Sequence, residues 1–271
     1  MLRDKVTCLI FSCDKFSDLW DGNIKLFNEN WPDHDFETYI ITDKPTDRQI
    51  PGITILSAGT SLEWSDRLKY ALDYVKTDFV FITLDDYFLI KKVDTKRIEN
   101  YVSLMETGGY EYLRFYPRPK RATKEELNGY KRVYNVDTSC NYSVNLYSGL
   151  WKKKFLEYTL REPKNAWMFE VSLSQMAVQY GAKCLCSYND DYVILDVVRK
   201  GKILHKANRY FKEHPGIYDG NRELQSLTYE VKLWVRTVVS ENAPKFLLNP
   251  LRSIFVKLGG HSFTQDASKV K

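Results

Sequence analysis

The run Phe79-Val80-Phe81-Ile82-Thr83-Leu84 is apolar at almost every position and is followed at once by two carboxylates, Asp85-Asp86. A strand without polar alternation has to be covered on both faces, which puts it in the interior of a sheet flanked by helices. The segments around it agree. Val6–Phe11 is a second continuous apolar run, and Thr38–Thr42 and 53–56 are shorter strand-like segments. Between them apolar residues recur at helical spacing: Leu19, Trp20, Ile24, Phe27 and Trp31 ahead of Pro32, then Leu62, Leu68, Leu72 and Val75 within 61–75. This alternation predicts an α/β fold with a mixed, mainly parallel sheet flanked by helices. Ligands of such sheets sit outside the carboxyl ends of the strands, where Asp85 and Asp86 fall.

The chain of 271 residues suits one such domain with an appendage. A third helix is expected over 95–105, stopping at Gly108-Gly109, followed by a strand at 112–116, a basic loop with weak helical content over 117–131 and an alternating strand at 142–147. A helix at 167–180 has Asn165 as N-cap and Gly181 at its end. Cys184–Ser187 and 193–198 read as further short strands. Two amphipathic helices close the chain. In 222–239 the residues Leu224, Leu227, Val231, Trp234, Val235 and Val238 form one apolar stripe, which is expected to pack on the sheet domain. In the second, Asn249 is the cap, Pro250 the first helical residue and Gly259-Gly260 the end; Leu251, Ile254, Phe255 and Leu258 face one way, with Arg252 and Lys257 beside them. That basic, apolar helix is expected either to pack on the domain as well or to lie in an anionic membrane interface.

Composition removes several classes. An excess of 40 basic over 35 acidic residues is too small for obligate nucleic-acid binding. Cys8, Cys13, Cys140, Cys184 and Cys186 lack the paired spacing of zinc sites or disulfides and read as reduced thiols. No apolar stretch approaches the roughly 20 residues of a membrane span, and Met1-Leu2-Arg3-Asp4 runs into a strand without signal-peptide features, so a cytoplasmic protein is expected. Phosphate-binding G-x-x-x-x-G-K-S/T, dinucleotide G-x-G-x-x-G, G-x-S-x-G and H-E-x-x-H patterns are all missing.

Adjacent carboxylates after a buried strand repel unless a cation or surrounding groups offset them. Mg²⁺ or Mn²⁺ held to a diphosphate would do so, since these ions take one or two protein carboxylates beside phosphate oxygens and water. The alternative is a pair of solvated turn-capping acids. Trp64-Ser65-Asp66-Arg67-Leu68 followed by Phe79 to Phe88 resembles the donor half of GT-A-type glycosyltransferases, particularly bacterial enzymes of capsule and lipopolysaccharide synthesis. Asp85-Asp86 stands where those enzymes carry Asp-x-Asp. Ser148-Gly149-Leu150-Trp151-Lys152 and Asn165-Ala166-Trp167-Met168-Phe169-Glu170 are similar to their G-hydrophobic-W…W-x-F-E pattern, and the matches together cover about residues 5 to 205.

The resemblance implies a GT-A-like catalytic domain over 1–210, with a donor half (1–116), an acceptor half (117–210) and a helical tail (211–271). It implies inverting transfer of a sugar from a nucleotide-diphosphate donor, a UDP-sugar first among them, to a glycan or lipid-linked saccharide, with Mn²⁺ or Mg²⁺ as cofactor and peripheral contact with the inner membrane. Asp86, helped by Asp85, would then hold the metal, and His205 would complete its shell. Glu170, in the first turn of its helix beside apolar Trp167 and Phe169, is the candidate base, because burial lifts a carboxyl pKa; its alternative is a helix-end acid. Arg67 suits a donor phosphate and Asp66 a base or ribose, against a plain intrahelical charge pair. Ser12 and Asp14 after the first strand, and Asp43 after the second, stand where the nucleoside is expected. Arg199, Lys200 and Lys202 surround Gly201, which permits close approach of an anion. Trp151 and Trp167 are expected to shape the acceptor pocket. Two other readings stay open: a non-catalytic carbohydrate- or nucleotide-binding protein, and a sugar nucleotidyltransferase, although Phe11-Ser12-Cys13-Asp14-Lys15 replaces the glycine-rich loop of the latter.

Overall fold

The computed structural model describes residues 1–242, so the second amphipathic segment, from Asn249 to Gly260, lies outside the described residues. The chain runs β1 (Val6–Phe11), α1 (Trp20–Asn30), β2 (Thr38–Thr42), β3 (Ile53–Ser57), α2 (Trp64–Leu72) and β4 (Phe79–Leu84). It continues with β5 (Tyr87–Leu89), α3 (Thr95–Gly108), β6 (Tyr112–Arg114), β7 (Thr123–Glu126), β8 (Val133–Val136), β9 (Gly149–Lys152), α4 (Lys153–Thr159) and α5 (Ala166–Tyr180). The last elements are β10 (Cys184–Ser187), β11 (Ile194–Asp196), β12 (Val198–Arg199), β13 (Lys202–Ile203), α6 (His205–Glu213) and α7 (Leu227–Asn242).

Nine strands form one sheet in the order β3-β2-β1-β4-β9-β6-β10-β8-β7. Strands β3, β2, β1 and β4 are parallel; β9 enters antiparallel between β4 and β6, and β10 returns parallel to β6. The parallel half explains the unbroken apolar strands. Successive side chains of a strand point to opposite faces, and here both faces are covered: Val80 and Ile82 join Leu68, Trp151 and Phe169 in one core, while Phe79 and Phe81 join Trp31, Ile98 and Met105 in the other. Fully burying each such side chain contributes about 1.5–3 kcal/mol. The helix ends follow their caps: Asn165 Oδ1 accepts from the Met168 amide at 2.9 Å, and Gly181 closes α5 with φ 73°.

Two expectations fail and one holds only in part. The segment 142–147 is buried but is not a strand, because Tyr142 takes a left-handed φ of 62° and the Asn145 side chain bonds the Tyr142 carbonyl and the Tyr147 amide; the strand starts later, at Gly149. The 117–131 loop does hold a short 3-10 helical turn, Lys120–Ala122, as its weak helical content suggested, but it also contributes the unexpected β7, which pairs with β8 at the sheet edge. The stripe of the 222–239 segment does not pack on the domain: Leu227, Val231, Trp234 and Val235 on α7 are exposed. Helix α7 is attached through polar contacts, Glu230 Oε1 to His205 Nδ1 at 2.8 Å and Glu241 Oε2 to the Lys120 amide at 2.9 Å. No helix among the described residues is long and apolar enough to cross a membrane.

Gly149 marks the tightest strand contact. A Cβ there would stand 2.6 Å from the Leu113 carbonyl oxygen and 3.3 Å from the Arg114 Cα, both backbone atoms of β6. Gly149→Ala is therefore expected to destabilise the protein by about 1–3 kcal/mol, the usual range for overpacking, read as a lower urea midpoint. An unchanged midpoint would mean that β9 shifts freely.

Candidate active site

The parallel register of β1 and β4 pairs Phe11 with Leu84, so the loops after both strands leave the sheet together. Ser12 consequently meets Asp85. The Ser12 hydroxyl donates to Asp85 Oδ2 and accepts from Trp20 Nε1 at 2.7 Å, while Asn23 Nδ2 donates to the Asp85 and Tyr87 carbonyls, both at 3.1 Å. Helix α1 thus fixes the turn that carries the two acids. Burial, and then the charge of Asp86, raise the Asp85 carboxyl well above its ordinary range.

Asp86 is placed differently. Its carbonyl accepts from the Val197 amide at 2.9 Å, and the antiparallel β5–β11 ribbon sets Asp196 opposite Tyr87. A second carboxylate therefore arrives beside Asp86. Asp86 Oδ1 and Asp196 Oδ1 are both buried without a hydrogen-bond partner, while Asp196 Oδ2 lies 2.5 Å from Arg199 Nη2. Burial and then repulsion from Asp196 push Asp86 up to about 7, and burial lifts Asp196 to about 6 against the pull of Arg199. Sequence reasoning missed Asp196; its signal was a carboxylate inside the short apolar strand Ile194-Leu195-Asp196-Val197-Val198.

Glu170 sits in the second turn of α5, not the first. Burial raises its carboxyl, with the Leu146 amide and Arg199 pulling the other way. Tyr147 stacks on Tyr116 with centroids 4.0 Å apart and on Tyr87 at 5.6 Å, and Arg199, Asp196 and Glu170 all act on its hydroxyl. The acids, Arg199 and this tyrosine stack are therefore one cluster at the carboxyl end of β4.

Four of the expected donor residues also converge. Arg67 Nη1 donates to the Ser12 carbonyl at 3.2 Å, and Asp43 Oδ1 accepts from the Asp14 amide at 2.6 Å. Burial works against the Asp43 charge, but the Asp14 amide, Arg67 and Lys44 outweigh it and hold its pKa low. Asp66 is half-buried in the first turn of α2. Arg222, which the sequence reading passed over, bonds Asp18, the Lys15 carbonyl at 2.6 Å and the Gly201 carbonyl at 3.2 Å, tying the β1 loop to the β12–β13 turn. Lys202 pairs with Glu223 at 2.6 Å; His205, expected to complete the metal shell, instead opens α6 with Nδ1 on Glu230 at 2.8 Å and joins no cluster of three candidate metal ligands among the described residues. Trp167 is half-buried on α5. Trp151 corrects an expectation: it has no exposed surface and packs between Tyr112 and Phe155, so it supports the sheet and presents no face to an acceptor.

Among the described residues no three His, Cys, Asp or Glu side chains form a metal shell. The Asp86–Asp196 pair nevertheless fits a hard divalent cation. Its two orphaned oxygens repel each other, and Mg²⁺ or Mn²⁺ accepts one or two carboxylates when phosphate oxygens supply the rest.

Both acids have folded-state pKa values raised above the unfolded value, so the folded protein binds more protons between about pH 4 and 7 and loses stability as pH rises through that window. Asp86→Asn removes the penalty. Without metal it is expected to be more stable than the wild type at pH 8 and to show a flatter profile between pH 4 and 8 in urea denaturation; parallel profiles would contradict the crowding of Asp86 and Asp196.

No protein-family model matches the chain, and no curated protein matches it by sequence. Solved structures do. Staphylococcus aureus TarS 1-349 in complex with UDP-GlcNAc superposes with a TM-score of 0.52 at 11% identity, over 73% of this chain and 60% of that one. The mannosyltransferase PcManGT from Pyrobaculum calidifontis, in complex with GDP-Man and Mn²⁺, gives 0.50 at 14% identity over 98% of this chain and 84% of that one. The chain spans only 36% of the longer TarS structure. These likenesses establish the fold: a mixed α/β sheet flanked by helices, of the GT-A-like, Rossmann-like class expected from the sequence.

Proposed function

We propose that this protein is an inverting glycosyltransferase that moves a sugar from a nucleotide-diphosphate donor to a hydroxyl of a glycan or lipid-linked saccharide. The observation that carries this reading is the pair of orphaned, mutually repelling oxygens of Asp86 and Asp196 at the carboxyl end of β4, in one cluster with Glu170. The fold shared with structures that hold UDP-GlcNAc or GDP-Man with Mn²⁺ supports the donor class. The division into a donor half (1–116), an acceptor half (117–210) and a tail (211–271) belongs to the same proposal.

Asp86 and Asp196 would hold a Mn²⁺ or Mg²⁺ ion, which when bound supplies positive charge against the leaving diphosphate. Arg199 adds a fixed guanidinium at the same place, aimed where negative charge grows as the bond from the anomeric carbon to the diphosphate oxygen breaks. Asp85 keeps the turn in shape through Ser12. Ser12, Asp14, Asp43, Asp66 and Arg67 border the nucleoside, while Lys202 serves the diphosphate side. Glu170 accepts the proton of the acceptor hydroxyl as its oxygen bonds to the anomeric carbon, and the nucleoside diphosphate departs. Its raised pKa brings it closer to that of an effective base near neutral pH. Tyr116, at the outer end of the tyrosine stack, and Trp167 offer flat faces to the acceptor sugar.

Release of nucleoside diphosphate from UDP- and GDP-sugars in the presence of Mn²⁺ tests the reading directly, since a pure binding protein releases none. Asp86→Asn and Asp196→Asn are each expected to abolish release while circular dichroism stays native; wild-type rates in either would remove the metal assignment. For Glu170→Gln the expected result is a kcat lower by roughly 10²–10⁴-fold with donor affinity nearly unchanged in calorimetry. Full activity in that variant would place the base elsewhere.

A further inference from the structure

Three tyrosines stand in a row beside the carboxylate cluster. Tyr147 lies between Tyr87, with ring centroids 5.6 Å apart and planes inclined by 10°, and Tyr116, at 4.0 Å and 19°. The faces of the Tyr147 ring are thus occupied, and what remains for a ligand is its polar edge. None of the three hydroxyls bonds another described residue, and none is sealed from solvent. A phenol both donates and accepts hydrogen bonds, so the row is polar surface that the fold leaves unused.

The neighbouring charges give the row a direction. Burial, then the Tyr147 hydroxyl and Asp86, raise the Tyr87 phenol, while Arg199 acts against them. Burial, then Tyr116, raise the Tyr147 phenol, with Asp196 and Glu170 adding to the rise and Arg199 opposing it. Tyr87 thus faces the Asp86–Asp196 pair, and Tyr147 stands between that pair and Glu170. A sugar passing from a diphosphate held at the pair to an oxygen deprotonated by Glu170 has to occupy this interval. Resting on that transfer reading, we infer that the Tyr87 and Tyr147 hydroxyls bind the hydroxyl edge of the sugar being transferred, and that this sugar is uncharged rather than a uronic acid. Carboxylates border the interval on both sides, and Arg199 is already paired with Asp196. A carboxylate on the sugar would meet repulsion there, whereas sugar hydroxyls supply the hydrogen-bond partners that the phenols lack.

The fold holds both rings without using their oxygens. Tyr87 opens β5 and is paired with Asp196 of β11 through the backbone. Asn145 Oδ1 accepts from the Tyr147 amide at 3.1 Å, and the Glu170 carboxylate accepts from the Leu146 amide just before it. Each phenol can therefore lose its hydroxyl while its ring stays in the stack. A site built to bond a substrate hydroxyl discriminates against a ligand that leaves it unpaired, which makes Tyr147 a residue that selects the sugar.

The test is calorimetry of the full chain with Mn²⁺, comparing UDP and GDP with UDP-glucose, UDP-galactose, UDP-N-acetylglucosamine and GDP-mannose. Tyr147→Phe is expected to bind the nucleoside diphosphate as the wild type does. It is expected to bind the preferred neutral nucleotide sugar about three- to tenfold more weakly, the usual worth of one neutral hydrogen bond. Tyr87→Phe/Tyr147→Phe should lose more, with native circular dichroism in both variants. The wild type is also expected to favour that neutral sugar over the uronate on the same nucleotide, UDP-glucuronate or GDP-mannuronate. Equal affinity of wild type and Tyr147→Phe for the nucleotide sugar would overturn the inference and leave the transfer reading standing. So would an equal loss for diphosphate and nucleotide sugar, the mark of a purely structural role. A preference for the uronate would overturn the uncharged class, and a wild type that binds no nucleotide would remove the transfer reading and this inference with it.

Discussion

The parallel pairing of β1 with β4, buried between two cores, is the constraint on which the rest of this molecule depends. Its register aligns Phe11 with Leu84 and so brings the two following turns to one place at the sheet edge. Both strands are buried on both faces, and a one-residue slip would turn Phe79 and Phe81 into the core that now receives Val80 and Ile82. Packing volume therefore locks the register, and the register locks the separation of Ser12 and Asp85. The carboxylate cluster at the end of β4 inherits its precision from side chains that lie outside it.

That precision is used to hold together groups that repel. Asp85, Asp86 and Asp196 lie within mutual influence in a poorly hydrated setting, where each carboxylate is costly unless compensated. The compensation is uneven. Asp85 has the Ser12 hydroxyl, itself held by Trp20, whereas Asp196 has Arg199 on one oxygen and Asp86 Oδ1 has nothing. Arg222 sits at a distance, fastened to Asp18, and favours the charged forms of Asp85 and Asp86 through its field. A neutral side chain in place of Asp86 would relieve this repulsion, so the arrangement costs stability that the fold supplies elsewhere.

The parts of the fold that were legible in the sequence are those where the local pattern and the tertiary environment agree. Continuous apolar runs gave β1 and β4, and Asn165 with Gly181 bounded α5. Segment 142–147 alternates as a strand does, yet the Asn145 side chain supplies backbone partners that a ladder would have supplied, and burial alone does not say which. The site was half legible for a similar reason. Asp85-Asp86 is a contiguous signal and Glu170 belongs to a motif, but Asp196 acquires meaning only through the β5–β11 pairing. Trp151 shows the converse error, since aromatic character suits a sugar platform and a core equally and only burial separates them.

Helix α7 shows the same ambiguity in the hydrophobic effect itself. Its stripe at positions 227, 231, 234, 235 and 238 has the period of a helix that packs on a domain, and the pattern is identical whether the face meets protein, lipid or water. What distinguishes the cases is how the helix is fastened. A helix held by its apolar face buries that face, whereas α7 has polar ties at Glu230 and Glu241, each accepting from a group on the body of the protein, and keeps Leu227, Val231 and Trp234 exposed. Those polar tethers orient the helix without consuming its apolar area. The free energy that burial of the stripe would release is thus not used in packing within the described residues.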